Sequence, residues 1–223
     1  MIVSICRKRR KKHRYLLRTF GLSEDRLKSY SHQRTVGGID LFFEREDEKE
    51  KAYSEFKEHV YTDNYLEMED VVVELLKAKG LKLAVAESST GGLLAARIVN
   101  VPGSSSNFLG GFVVYANELK TKLLSVEEEF LREYGAVSKE VCRAMCVGVL
   151  EETDADISLA ITGIAGPAGE TGLKPVGLTY VGLGTDKEVV VQEYNLKDGR
   201  NTNRFLSTQI ALDMLRKFLL RGL

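Results

Sequence analysis

Residues 83–92 read Leu-Ala-Val-Ala-Glu-Ser-Ser-Thr-Gly-Gly, and this stretch decides the fold. Leu83 to Ala86 is an apolar run of strand length. Glu87 to Thr90 is polar, and Gly91-Gly92 leads into Leu93–Val99, whose apolar spacing suits a helix. Strand, polar turn and helix in that order place hydroxyls and unhindered backbone N–H groups at the end of a sheet. Ser88 or Ser89 can act there as a nucleophile, with the following amides holding an oxyanion. The plainer alternative makes Ser89 or Thr90 a helix N-cap, with the glycines only permitting a tight turn.

Downstream the alternation continues. Strands are expected at Phe108–Tyr115 and Asp156–Thr162, and helices from an Asn117 cap through Leu124, over Val126–Tyr134, and from a Ser138 cap over Val141–Leu150. Val176–Gly184 and Glu188–Tyr194 read as a hairpin, and Asn201–Leu220 as the closing helix. An amphipathic helix over Leu66–Lys79, with Val71, Val72, Leu75 and Leu76 inward, stops at Gly80. This pattern predicts an α/β fold, a three-layer α/β/α domain with a mixed sheet.

Before it the pattern differs. Residues 15–30 hold a short helical pattern with Ser23 as a cap. Val36–Glu44 reads as a strand, and Arg45–Val60 as a helix with Tyr53, Phe56 and Val60 on one stripe. This segment is short for a sizeable core and is expected to lean on the larger domain after it or pair with another copy. The expected organisation is a mobile tail over 1–13, a small α+β segment over 14–64 and the main domain over 65–223.

The totals exclude several classes. The chain has 223 residues, 43% of them hydrophobic, with 32 basic and 32 acidic side chains. It therefore supports a real core and carries no strong overall field. The basic run 7–14 lacks a folded reader, which argues against nucleic acid as a partner. No apolar stretch is long enough to span a bilayer, and the apolar start is too short for a signal peptide, so a cytoplasmic protein is expected. Cys6, Cys142 and Cys146 form neither a zinc pattern nor a disulfide framework; the last two share a helix face and read as core. His13, His32 and His59 all precede the main domain, so a Ser-His-Asp triad or a histidine-ligated metal cannot be built there. Acyl chemistry would need another base, and lysine is the usual substitute.

Three loops come after strands of buried character, at 87–92, 115–120 and 162–169, and ligands gather at such carboxyl ends. Their hydroxyls, tyrosine, lysine and open N–H groups suit a polar, anionic small molecule. Neither GxGxxG nor GxxxxGK[ST] is present, so no nucleotide cofactor is expected.

Ala86–Gly92, Val101-Pro102-Gly103-Ser104-Ser105, Tyr115–Lys120, Gly135-Ala136-Val137-Ser138, Thr162–Pro167 and Lys174-Pro175-Val176-Gly177 occur in one order. Together they resemble the C-terminal domain of the competence/damage-inducible CinA proteins, the nicotinamide-nucleotide amidohydrolase family, over about residues 65–223. The resemblance implies hydrolysis of the carboxamide of nicotinamide mononucleotide to nicotinate mononucleotide and ammonia. It places the family's serine, tyrosine and lysine on Ser88, Tyr115 and Lys120. Residues 14–64 are similar to the KH-like connector of full-length CinA proteins. The nucleotide-pyrophosphatase domain that precedes it there has no counterpart in this sequence, and its metal-dependent chemistry is not carried over.

Two departures stand out. Ser89 replaces the family's cysteine, and the loop after Pro167 is less glycine-rich. Gly91 and Gly92 are the expected oxyanion donors, helped by Thr90. Asn117, Ala136 and Ser138 are expected to border the substrate. Thr162, Gly163, Ala165 and Gly166 are expected to hold phosphate or ribose through their amides, and Arg200 or Arg204 to meet the phosphate. With Asn117 as cap, Lys120 falls in a first helical turn, where the macrodipole and burial both lower its pKa. Tyr115 would relay its proton or orient it. A homodimer or higher homo-oligomer without metal or cofactor is expected. The competing reading is a non-catalytic competence- or damage-related regulator or binding module; Thr35–Ile39 does not supply the GXXG clamp such nucleic-acid binding normally uses.

Overall fold

The computed structural model describes residues 14–27, 30–172 and 174–221. The expectations for the basic tail and Cys6, and residues 28–29 of the helical pattern expected over 15–30, lie outside them. The chain divides into two compact units, 1–66 and 67–223.

The first unit corrects the sequence reading. Its elements are β1 (Tyr15–Thr19), a 3-10 turn (Glu24–Arg26), β2 (Ser31–Thr35), β3 (Gly38–Phe43), α1 (Glu46–Phe56) and β4 (Val60–Thr62). The antiparallel sheet has the order β2-β3-β1-β4. The expected helix over 15–30 begins as an inner strand. Leu16, Leu17, Arg18 and Thr19 are all buried there, so no period of two marks the strand. Arg18 lies opposite Asp40 and donates to its carboxylate at 3.2 Å, which lets both charges sit inside the sheet. Val36-Gly37 is the turn of the β2–β3 hairpin instead of a strand start, with Gly37 at φ 81°. Ser23 precedes the 3-10 turn but makes no side-chain cap bond. Ala52 and Phe56 of α1 pack on Leu17, Leu41, Phe43 and Val60, so this unit has a core of its own; Tyr53 faces solvent and Val60 belongs to a strand.

The second unit has the expected mixed α/β architecture. It runs α2 (Met68–Lys79), β5 (Leu83–Glu87), α3 (Leu93–Val99), a 3-10 turn (Ser104–Ser106), β6 (Phe108–Val113), α4 (Asn117–Leu124), α5 (Glu128–Glu133), α6 (Lys139–Glu151), β7 (Ile157–Gly163), β8 (Leu178–Gly184), β9 (Val189–Asn195) and α7 (Arg200–Arg221). Sheet order is β6-β5-β7-β8-β9, with β5 parallel to both neighbours and the other pairs antiparallel. Ala84, Ala86 and Ala160 face α6, whose Cys142, Met145 and Cys146 are fully buried. Burial pushes the Cys146 thiol up to about 12 and Cys142 well above its usual value, as befits core cysteines. Leu83, Val85, Leu159 and Ile161 point to the opposite face, the side of α2, α3 and α7.

Details shift at element ends. On α2, Met68, Val72, Val73 and Leu76 are buried, while Val71 and Leu75 are only partly so; Gly80 ends it at φ 66°. β6 is an edge strand with alternate residues exposed, not a buried one, and it stops before Tyr115. Ser138 does cap α6, accepting from the Val141 amide at 3.3 Å. Among the described residues no helix is long and apolar enough to cross a membrane.

The topology places the candidate loops. Because β5, β6 and β7 are parallel, the turns after all three open at one end of the sheet. β9 runs in the same sense as β7, so its exit delivers the start of α7 to that end too.

Candidate active site

Ser88 comes directly after β5. Its amide donates to Ile161 O at 2.9 Å, extending the pairing with β7 by one residue. Its carbonyl accepts from Gly91 N at 3.1 Å, which closes a tight turn over 88–91. Gly91 and Gly92 have φ of 59° and 91°, a region that costs glycine nothing and other residues a steric clash with Cβ.

The cap of α3 is a correction. Neither Ser89 nor Thr90 supplies it. Glu87 does: its Oε2 accepts from the amides of Gly92 at 3.1 Å and Leu94 at 2.9 Å, and its Oε1 from Ala95 at 2.8 Å. The N–H groups of Gly91 and Gly92, expected to face an oxyanion, are therefore engaged by Ser88 O and Glu87. Among the described residues no backbone acceptor takes the amides of Ser89 or Thr90. Ser89 is half-buried; Thr90 is fully buried, and its Oγ1 has no hydrogen-bond partner among the described residues.

Lys120 is tied to the backbone just after β6, where Val114 pairs with Glu87 at the end of β5. Val114 N donates to Glu87 O at 2.9 Å, and Lys120 Nζ donates to Val114 O at 2.8 Å and Tyr115 O at 3.3 Å. The lysine is 1% exposed. Burial lowers its pKa from 10.5 to about 8, with the Glu118 carboxylate opposing in part. Asn117 is the first helical residue, not the cap; Ala116 holds that position, and Asn117 is exposed. Tyr115 is 60% exposed, and its hydroxyl accepts from Arg200 Nη2 at 3.3 Å.

The first turns of α7 tie the loops together. Arg200 Nη1 donates to Gly166 O at 2.8 Å, Asn203 Nδ2 to Ala165 O at 3.2 Å, and Arg204 Nη2 to Thr90 O at 2.7 Å. On the side of the 134–138 loop, Thr162 Oγ1 donates to Ala136 O at 2.7 Å, and Ser138 Oγ to Gly135 O at 2.9 Å. Lys174 Nζ braces that loop through Val137 O at 2.7 Å and through Tyr134 O. Gly163 remains within the β7–β8 ladder opposite Thr179.

The structure thus joins Ser88, Thr90, Gly91, Gly92 and Arg204 in one group, and Tyr115, Gly166 and Arg200 in another. Thr162 and Ala136 bond each other, Ser138 is committed to a helix cap, and Asn117 makes no contact with these groups through a hydrogen bond. Sequence reasoning missed Glu87, Asn203 and Lys174. Only Glu87 carried a signal, an acidic residue at the buried end of an apolar strand. A groove of about 340 Å³ between α6 and the 185–188 turn, lined by Arg143, Glu151, Asp186 and Lys187 among others, lies at the opposite end of the sheet and contains none of these residues. Among the described residues no group of three or more His, Cys, Asp or Glu stands together as a metal site.

Residues 66–219 match the family model of the CinA C-terminal domain. A CinA-like protein of Sulfurihydrogenibium sp. (strain YO3AOP1) is 40% identical over 224 residues, 95% of this chain and 56% of the relative. A CinA-like protein of Thermotoga neapolitana is 48% identical over 170 residues, 76% of this chain and 41% of the relative. The chain thus spans about half the length of the curated relatives it matches. Two crystal structures align with a similar portion. A competence-damaged protein (CinA) superfamily protein of Escherichia coli has a TM-score of 0.65 at 31% identity, covering 68% of this chain and 88% of that one. The competence/damage inducible protein CihA of Agrobacterium tumefaciens has 0.64 at 34%, covering 69% and 97%. With the order of its loop motifs, its mixed sheet and these matches in agreement, the chain belongs to the CinA C-terminal domain family.

Proposed function

We propose that this chain hydrolyses the carboxamide of nicotinamide mononucleotide to nicotinate mononucleotide and ammonia, with Ser88 as nucleophile and Lys120 as base. The observation that carries this reading is Lys120 itself. A lysine that is almost wholly buried, bonded among the described residues only to backbone carbonyls and lowered to about 8, is held where its neutral form is accessible. At pH 7 roughly one such amine in ten is neutral, enough to accept a proton from a serine.

Ser88 Oγ adds to the carboxamide carbon as its proton passes to Lys120 Nζ. The lysine returns the proton to the departing nitrogen, which leaves as ammonia, and an ester to Ser88 remains. Water then adds with Lys120 again as base, and the ester breaks to give the carboxylate and free serine. Arg200 and Arg204 support the choice of a phosphorylated substrate. Among the described residues their hydrogen bonds run to neutral oxygens, those of Gly166, Tyr115 and Thr90, and neither forms an ion pair, so their charge is left for an anion.

The test is ammonia release from nicotinamide mononucleotide, nicotinamide riboside and nicotinamide, with Ser88→Ala as control. The mononucleotide should be the substrate turned over, and Ser88→Ala should lose turnover. Preference for another pyridine carboxamide keeps the apparatus and changes the substrate. No ammonia from any of them with folded protein would favour the non-catalytic regulator.

A further inference from the structure

We propose that Glu87 is a positioning residue for Ser88: its carboxylate clamps the start of α3 and leaves the amide of Ser89 as the oxyanion donor. The proposal rests on the reading of Ser88 as nucleophile. Glu87 is 1% exposed, and among the described residues no cation forms an ion pair with it; three N–H groups between 2.8 and 3.1 Å are the bonds that hold it. A buried carboxylate without such bonds would be costly, and charge-assisted N–H bonds are what offset the loss of water.

A cap alone does not require this arrangement. Ser89 and Thr90 both lie near enough in sequence to cap α3 locally, and either residue type is a good cap. Here the acceptor comes from the end of β5 instead. Glu87 is fixed on both sides, opposite Val113 of β6 and Ile161 of β7, and its side chain reaches across residues 88–91 to the helix. The intervening turn is thus pinned at both ends and closed inside by the Ser88–Gly91 bond. Ser88 has little freedom left, which is what a nucleophile aligned on a carbonyl carbon needs.

The same carboxylate decides where an oxyanion can go. It occupies the amides at the start of α3, and its charge repels a second anion there. The amide of Ser89, one residue past the nucleophile, has no backbone acceptor among the described residues, and Ser89 is only half-buried. A strand-to-helix nucleophile turn commonly takes an oxyanion donor from the residue after the nucleophile.

Two measurements test this. Glu87→Gln keeps the reach but loses the charge and one acceptor. It should lower kcat per folded molecule by about 10²-fold, the cost of a small misplacement, with KM within about threefold. A merely structural role would lower thermal stability and leave kcat per folded molecule unchanged, and kcat within twofold of wild type overturns the proposal. Amide exchange by NMR on the unaltered protein needs no variant to fold. Gly92, Leu94 and Ala95 should be protected, and the half-buried Ser89 should exchange fast; protection of Ser89 equal to theirs also overturns it. If the wild-type protein releases no ammonia from any carboxamide, the reading of Ser88 fails, while the exchange pattern still decides the clamp.

Discussion

Lys120 meets Tyr115 at the backbone: its Nζ donates to the Tyr115 carbonyl at 3.3 Å, while the Tyr115 hydroxyl lies against Arg200. The side chain that the resemblance places beside the lysine is turned toward the arginine. Tyr115→Phe keeps the carbonyl and removes only the acceptor for Arg200. It should leave kcat within about threefold and the pH profile in place, and should raise KM. A fall in kcat of about 10²-fold or more, the cost of losing a proton-transfer group, would restore the hydroxyl to the relay.

Lys120 sets two pH dependences of the same origin. As a base it works when neutral, so kcat/KM should rise with pH through about 8 and then level off. Lys120→Met should lose about 10²–10⁴-fold in turnover, and Lys122→Met little. Stability responds to the same shift. The folded pKa lies below the unfolded one, so between about 8 and 10.5 the unfolded chain binds more protons and the wild type gains stability as pH rises. Denaturation of wild type and Lys120→Met in parallel from pH 7 to 10 should therefore move in favour of the wild type. A constant difference would mean that the lysine is not depressed.

Ser88 and Ser89 separate cleanly. Ser88→Ala should abolish acyl-enzyme formation while substrate binding stays within a few-fold. Because Glu87 and not Ser89 caps α3, Ser89→Ala should escape the usual cap penalty and change stability by less than about 0.5 kcal/mol. Ser89→Cys, which restores the residue usual in the family, should stay active. Mass spectrometry of the trapped intermediate checks the assignment, and an adduct on Ser89 would reverse it.

Arg200 links the Gly166 carbonyl to the Tyr115 hydroxyl, and in the proposed function its charge meets the substrate phosphate. Arg200→Ala should raise KM for nicotinamide mononucleotide about ten- to a hundred-fold, the worth of one charge-assisted hydrogen bond, with a smaller change in kcat. Any turnover of nicotinamide, which has no phosphate, should be unaffected. Equal losses on both substrates would make Arg200 a scaffold residue only.

The main domain was legible because its local patterns agree with its packing. Leu83–Ala86 is apolar throughout, and Ile157–Ile161 apolar but for Ser158, because β5 and β7 are inner strands covered on both faces, and Gly80 and Ser138 punctuate helices as their chemistry dictates. In the first unit the strand β3 and the helix α1 were legible, but its start was not, for a related reason. Its inner strand carries Arg18, and the neighbouring β3 carries Asp40; two charges in buried strands read as surface until the register sets them opposite each other.

By itself the sequence determined the class of fold, the order of the loops and the absence of histidine from the main domain. Those come from residue types and short-range spacing. Tertiary structure alone decided which groups are free to act. Glu87 takes the helix amides, and Ala116 displaces Asn117 from the cap. Tyr115 turns its hydroxyl to an arginine 85 positions away, and Arg204 reaches Thr90 across 114. A hydrogen-bond donor or acceptor can be spent only once, and which partner claims it depends on what the folded chain brings within about 3 Å, which no local pattern encodes.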